Sequence, residues 1–397
     1  MLFCTQKNRF NVLKTLDRGH ESCYNEVEIT RMGVGGFKMQ KLKVAIVGTG
    51  GICRLGHMPA YLKRDDVEVI ACADIVFDKA KAVAEQFNIP KAYSSVEELL
   101  ANCKPDYVDV CTWPSAHVPV ALAAINAGCH VMCEKPTCHN LEDAIALKKA
   151  VDEKGVKFML AVPLRYRKDV AYARKLVDEG VLGDVYYGKT AYVRQRGLPG
   201  GWFACSKYSG GGPVIDIGVH RIDLAWYMMG CPKPVSVMAT AVYKIGDYLS
   251  ETKEEVVSDA VSENNAWGGG QVDDYKFDVE DSASGVIRFE NGAQLIFETA
   301  WSFNGPENCS TQIAGDKAGI TLEPFKIYKD NGKSVIEESI EGDFKSDIFV
   351  NEIDHFIDCI RNDKTPSSDV NQALQLQMML MGIYESAKTG REYVFKY

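Results

Sequence analysis

Lys43-Val44-Ala45-Ile46-Val47-Gly48-Thr49-Gly50-Gly51-Ile52-Cys53 decides the fold. The first five residues form an apolar run of strand length. Glycines follow at once, and the stretch from about Cys53 to Arg64 reads as a helix. A strand that passes through Gly-x-Gly into a helix offers backbone N–H groups and a positive helix end to a pyrophosphate. Gly48 permits the tight turn, Gly50 lets backbone approach the phosphates, and Gly51 and Ile52 complete the cofactor-binding turn. Cys53 stands where glycine or alanine would pack helix on strand more closely. The next strand, Val67–Ala73, ends at Asp74. Its carboxylate would accept from ribose hydroxyls and repel a 2′-phosphate, and Ile75 offers no cation to offset that, so NAD is favoured over NADP. The plainer alternative, a turn glycine pair and a solvated Asp, is weakened by the strand–turn–helix context.

Outward from this stretch, strand and helix alternate. Strands Lys43–Val47, Val67–Ala73, Tyr107–Thr112, His130–Cys133 and Lys157–Val162 are separated by helical patterns that include Phe77–Phe87, Val96–Asn102, Val118–Ala127 and Leu141–Glu153. The spacing predicts an α/β fold: a doubly wound parallel Rossmann sheet over residues 41–162. After Pro163 the pattern changes. A helix at Val170–Glu179 and a long strand at Val185–Arg196 precede a glycine-rich loop and a helix from about Val214 to Met229. Strands Val235–Tyr243, Ala283–Glu290, Ala293–Trp301, Gln312–Ala314, Ile320–Leu322 and Lys326–Lys329 follow, with Asn291-Gly292 signalling a type I′ hairpin. Residues 163–397 are therefore expected to form an α+β domain for substrate binding and oligomerisation. It would have a large, open, mostly antiparallel sheet, a loop insertion at 246–275 and closing helices at 348–361 and 370–388. The open face suits a homodimer or homotetramer.

Bulk properties exclude several classes. The 397 residues are 46% hydrophobic and 25% charged, with formal charge −9 and no basic block, so nucleic acid and membrane are not expected partners. Thirteen scattered cysteines suit a reducing cytoplasm better than a disulfide framework. Cys129, Cys133 and Cys138 lack metal-ligand spacing, and no metal is expected. Residues 1–40 are polar and mixed in charge, unlike a secretory or twin-arginine signal. They read as an extension, either disordered or lying upstream of a true start at Met39.

Two further motifs carry chemistry. His130-Val131-Met132-Cys133 runs into Glu134-Lys135-Pro136. A lone lysine in such a loop is ordinarily a surface group. At the carboxyl end of a strand in an open α/β sheet, however, Lys135 would stand beside the ligand, where an ammonium can exchange a proton with a substrate hydroxyl. Asp216, His220 and Asp223 follow Gly210-Gly211-Gly212-Pro213 at i, i+4 and i+7, which places them on one helical face. An Asp one turn from a His makes an acid/base dyad; a metal site and a solvated face are the alternatives.

With these pieces in place, the chain resembles the glucose–fructose oxidoreductase / inositol dehydrogenase / rhizopine catabolism (Gfo/Idh/MocA) family. The resemblance rests on VAIVGTGGIC, AINAGCHVMCEKP and SGGGPVIDIGVHRIDLAWYMMG and runs from Lys41 to near the C-terminus. It implies NAD(P)-dependent oxidation or reduction of sugars, cyclitols and their derivatives. Lys135 and His220 would contact the reacting hydroxyl with Asp216 in support, and the Lys135–Pro136 peptide would be cis. Relatives often carry Thr-Pro-Asn where this chain has Thr112-Trp113-Pro114; His117 keeps the usual place of a histidine. The resemblance puts Thr112, Trp113, His117 and Glu134 by the cofactor, and Arg165, Tyr166, Arg194 and Trp202 by the substrate. The Trp113 departure, with Arg194, Arg196 and Trp202, resembles a branch that oxidises glycosides at the 3-hydroxyl. Two other readings remain: an NAD-retaining oxidation–elimination glycosidase, whose known forms lack the Glu-Lys-Pro pattern, and a non-catalytic sugar- or NAD-sensing regulator, which tends to lose the Lys and His.

Overall fold

Six parallel strands, β1 (Leu42–Val47), β2 (Val67–Ala73), β3 (Ala92–Tyr93), β4 (Tyr107–Val110), β5 (His130–Glu134) and β6 (Phe158–Ala161), lie in the order β3-β2-β1-β4-β5-β6 in a computed structural model. This is the doubly wound order, with its switch between β1 and β4. The structure describes residues 40–245 and 276–396; the proposed extension and the 246–275 insertion lie outside the described residues. The described residues from Lys41 onward form one compact unit. β1 is apolar throughout its second half because both faces are covered. Val44 and Ile46 pack with Met58, Tyr61 and Ala80 on one side. Ala45 and Val47 pack with Val118, Ala121 and Leu147 on the other.

The helices are α1 (Met58–Tyr61), α2 (Phe77–Phe87), α3 (Val96–Asn102), α4 (Pro114–Asn126), α5 (Leu141–Lys154), α6 (Lys168–Asp178), α7 (Ser206–Ser209), α8 (Val219–Met228), α9 (Ile348–Arg361) and α10 (Val370–Thr389). Ser95, Asn140 and Asp369 cap α3, α5 and α10 by accepting backbone N–H groups. Two expected helices differ from the simple reading. Cys53–His57 and Val214–Gly218 are π-helical turns leading into α1 and α8, and such bulges concentrate at functional sites. The two-residue β3 was not anticipated; it is too short for any periodicity.

The second sheet holds nine strands. They are β7 (Val185–Val193), β8 (Pro234–Val242), β9 (Ser282–Phe289), β10 (Gln294–Ala300), β11 (Asn308–Gly315), β12 (Ala318–Leu322), β13 (Phe325–Asp330), β14 (Val335–Ser339) and β15 (Tyr393–Val394), in the order β14-β13-β12-β11-β7-β10-β9-β8-β15. All pairings are antiparallel except β7 with β10. The β9–β10 turn corrects the type I′ expectation. Gly292 has φ +83° but Asn291 is not left-handed, and Phe289 N–H donates to Ala293 O at 2.9 Å, so three residues cross instead of two. α9 belongs spatially with the first sheet: its Ile353, Phe356 and Ile357 complete the core beside Val44 and Ile46. Among the described residues no helix is long and apolar enough to cross a membrane.

Candidate active site

A cleft of about 1930 Å³ runs from the glycine turn to the start of α8. That exceeds the roughly 300–1,000 Å³ of a single small-ligand pocket, leaving room for a dinucleotide and a second molecule. Gly48, Thr49, Gly50, Gly51, Ile52, Asp74, Thr112, Trp113, Glu134 and Lys135 line it from around the first sheet, and Arg194 (just after β7), Trp202, Asp216 and His220 (on helical turns and α8) from the later part of the chain. Gly48 has φ +93°, and a Cβ there would lie 2.5 Å from the Cys111 carbonyl, so only glycine fits. A Cβ on Gly50 would meet nothing within 4 Å, so its backbone faces open space. Asp74 fastens this loop: Oδ2 accepts from Thr49 N (2.9 Å) and Thr49 Oγ1 (2.8 Å), and Oδ1 from Val76 N (2.9 Å). The cradle fits a dinucleotide. Arg54 and Lys79 also line the cleft, two cations absent from the sequence reading.

Lys135 follows β5, and its peptide to Pro136 is cis. Its side chain, 15% exposed, crosses the cleft: Nζ donates to Asp216 O (2.6 Å) and Asp216 Oδ1 (3.3 Å). Asp216 Oδ2 accepts from Trp301 Nε1 at 2.9 Å. The expected Asp216–His220 dyad is therefore corrected. The wider π turn at Val214–Gly218 alters the angular spacing of residues four apart, and Lys135 and Trp301 take the Asp216 oxygens. His220 Nδ1 is buried and without a partner among the described residues. Burial, with Lys135, Arg221 and Arg194 nearby, holds the ring well below the ordinary histidine pKa, so it is a neutral imidazole facing cations. Asp223 does not join this face; it is buried against Arg165.

The glycine-rich loop is shaped by its neighbours. A Cβ on Gly211 would lie 1.9 Å from Tyr384 Oη, and one on Gly212 2.1 Å from Glu280 O. The buried Glu280 carboxylate accepts from Gly212 N (2.9 Å), Val214 N (3.0 Å) and Tyr384 Oη (2.9 Å), and burial raises its pKa to about 7. Sequence reading missed Glu280, which follows the undescribed segment and looks like a loop end. Trp202 stacks on Phe203 with centroids 3.8 Å apart, and Trp113 leans on Tyr208. Arg194 lies over the Tyr192 ring and donates to its hydroxyl at 2.9 Å. Arg196, grouped with Arg194 by the resemblance, does not line the cleft; its Nη2 donates to Asn304 Oδ1 at 2.7 Å.

Three expected site residues lie behind the cleft wall. Arg165 is 4% exposed; its Nε and Nη2 donate to Asp223 at 2.8 and 2.5 Å, and Nη1 to Ser367 O and Gln372 Oε1. A buried carboxylate needs such a bidentate partner, so Arg165 is tied to the fold and not to a ligand. Tyr166 bonds Ser367 Oγ at 3.0 Å. His117 is fully buried, its ring nitrogens 2.7 Å from Pro136 O and 2.9 Å from Thr112 O, bracing two cleft-lining loops from within.

Comparison with known proteins agrees with this geometry. Residues 42–162 match the NAD-binding Rossmann fold of an oxidoreductase family, GFO_IDH_MocA, and residues 170–321 match the GFO/IDH/MocA C-terminal domain. D-glucoside 3-dehydrogenase of Escherichia coli K12 is 32% identical over 355 residues, covering 88% of this chain and 96% of that one. The scyllo-inositol 2-dehydrogenase (NAD(+)) of Bacillus subtilis is 25% identical, covering 85% and 92%. A solved levoglucosan dehydrogenase in complex with NADH and L-sorbose shares the fold, with TM-score 0.77 and 22% identity over 90% of this chain and all of that one. With a GxG-fastened sheet of the doubly wound order joined to a matched C-terminal domain, the chain belongs to the GFO/IDH/MocA oxidoreductase family.

Proposed function

We propose that this protein is an NAD-dependent dehydrogenase acting on a secondary hydroxyl of a sugar, glycoside or cyclitol, with the 3-hydroxyl of a glycoside the foremost candidate. One observation carries the reading: Lys135 Nζ, the Asp216 carboxylate and a neutral His220 converge in a cleft continuous with the glycine turn. When bound, the nicotinamide supplies the hydride acceptor. Gly48–Ile52 would hold the pyrophosphate and Asp74 the adenosine ribose, which favours NAD. In oxidation, neutral His220 takes the hydroxyl proton. The Lys135 ammonium, held by Asp216, donates a hydrogen bond to the same oxygen as its charge develops. Trp202 and Arg194 line the opposite wall, where an aromatic face and a planar cation suit a pyranose and its hydroxyls. The similarity to D-glucoside 3-dehydrogenase over nearly its whole length supports the glycoside choice. The presence of both Lys135 and His220 weighs against the eliminating-glycosidase and sensor readings. The partly open face of the second sheet, where Tyr186, Met238 and Val242 are exposed, supports a homodimer or homotetramer.

The test is a screen of methyl glycosides, free sugars and inositols for NADH absorbance, paired with denaturing release of bound nucleotide. Turnover of a methyl glucoside giving a 3-keto product is expected. Failure of every sugar and cyclitol, with no nucleotide released, would refute the reading.

A further inference from the structure

Directly behind Glu134 lies a set of buried ionisable groups that the reaction as described does not use. His57, at the end of the π-helical turn after the glycine loop, is fully buried. Its Nδ1 lies 2.8 Å from Asp109 Oδ2 and its Nε2 3.0 Å from Glu134 Oε1. Tyr61 Oη donates to the same Asp109 oxygen at 2.9 Å, and the Cys111 thiol sits 3.4 Å from Nδ1. The chain of contacts ends at the reacting side: Glu134 Oε2 accepts the Lys135 peptide N–H at 3.1 Å, and Glu134 lines the cleft. From α9, Phe349 packs its ring 5.9 Å from the imidazole, and Glu352 is buried with neither oxygen bonded among the described residues.

Counting protons defines the state. Ionised carboxylates only accept, so each of the two nitrogen–oxygen contacts needs a proton. Asp109, His57 and Glu134 therefore hold two protons between them and carry one net negative charge. Burial is the largest single influence and disfavours a charged ring, but Asp109 and the Cys111 sulfur together hold the His57 pKa well above its ordinary value. Burial, then Glu134, push the Glu352 carboxyl well above its range, so it is a neutral acid. The other titratable groups facing the ring are Tyr107, Cys53 and Cys111, all pushed up by burial and hence uncharged. A shared metal ion does not fit. Ligands of one tetrahedral zinc stand about 3.3 Å apart, given bonds of roughly 2.0 Å, whereas Nδ1 and Oδ2 are at hydrogen-bond distance.

A buried ionic triad is a poor source of stability, since apolar residues of equal volume often serve as well or better. Its value lies in direction. We propose that His57 is a positioning residue for the reaction: as an imidazolium between Asp109 and Glu134, it fixes the Glu134 carboxylate against the Lys135 peptide and thereby aims the Lys135 side chain across the cleft. This rests on the reading of Lys135 as the residue that contacts the reacting hydroxyl.

Two readouts need no turnover. In full-length protein labelled with ¹⁵N-histidine, the ring that shows contacts to Phe349 should carry protons on both nitrogens well above the ordinary histidine range. In His57→Gln, the Lys135 amide proton should move upfield as its carboxylate acceptor loosens. A neutral His57 tautomer at pH 7 in the wild type, or an unmoved Lys135 amide in the variant, overturns the proposal, and the first needs no variant to fold. With methyl β-D-glucopyranoside and NAD, kcat of His57→Gln should fall toward the ~100-fold cost of a 1 Å misplacement, with NAD affinity and KM within about threefold. Glu134→Gln should lower kcat to a similar degree, and the kcat of the double variant should be no worse than that of the poorer single. Lys135→Ala is measured alongside. If it keeps wild-type turnover, the acid/base reading fails and takes this proposal with it. If it is inactive while His57→Gln keeps wild-type kcat, only the positioning role fails.

Discussion

Replacing Asp74 by asparagine and by alanine separates charge from scaffold in the proposed NAD preference. The carboxylate makes three contacts within the protein, to Thr49 N, Thr49 Oγ1 and Val76 N, and lines the cleft with one Oδ1 lone pair left to accept. Asparagine keeps the shape and one carbonyl for the loop but loses the charge. Losing a charge-assisted bond to a ribose hydroxyl should cost about 1.5–3 kcal/mol, or roughly 10- to 150-fold in NAD affinity at 1.4 kcal/mol per tenfold. NADP should bind more tightly, because a fixed anion no longer opposes the 2′-phosphate and Arg54 and Lys79 line the same cleft. Alanine also frees Thr49 and Val76, so it should lose at least as much NAD affinity while gaining less for NADP. Calorimetric titration of both nucleotides into the wild type and the two variants reads this directly. If Asp74→Asn binds NAD and NADP with wild-type affinities, the carboxylate does not select the cofactor and the reasoning fails.

Other expectations follow from the same geometry. Lys135→Ala and His220→Ala should each lower kcat by about 10²–10⁴ with NAD affinity nearly unchanged; wild-type rates in either would remove it from the mechanism. Because burial and neighbouring cations keep His220 neutral, kcat/KM for oxidation should stay level as pH falls through the ordinary histidine range, and a break there would contradict that. Arg165→Met leaves Asp223 buried and unpaired and should cost about 3–5 kcal/mol in urea denaturation; a change under about 1 kcal/mol would show the pair is not structural. For Glu280, the folded chain keeps a proton between the ordinary carboxyl value of 4.5 and about 7 that the unfolded chain has released. Unfolding free energy should therefore fall as pH rises across that window. Glu280→Gln should flatten the slope, and an identical slope would assign it to other groups.

Much of the fold was legible because its signals are local. The glycine turn after an apolar strand, Asp74 at the end of β2, and the switch from helix–strand alternation to hairpins all rest on neighbours in sequence. So does α9, whose ends the periodicity placed at Ile348 and Arg361. Elements without periodicity were missed: the two residues of β3, the fully exposed β14, and the π turns that replace the first turns of two expected helices.

Residue type and spacing by themselves established a doubly wound sheet with a dinucleotide turn, a lysine at a strand's carboxyl end and a glycine-introduced helix bearing Asp216 and His220. Only the tertiary structure decided which charges meet. Asp216 turned from His220 to Lys135, Asp223 and Arg165 closed on each other in the core, and His57 joined Asp109 to Glu134 across 52 and 77 residues of chain. The reason is physical. Strand and turn propensities act over a few residues, whereas a buried charge must find its partner in whatever packs against it, and that is set by how distant segments cross.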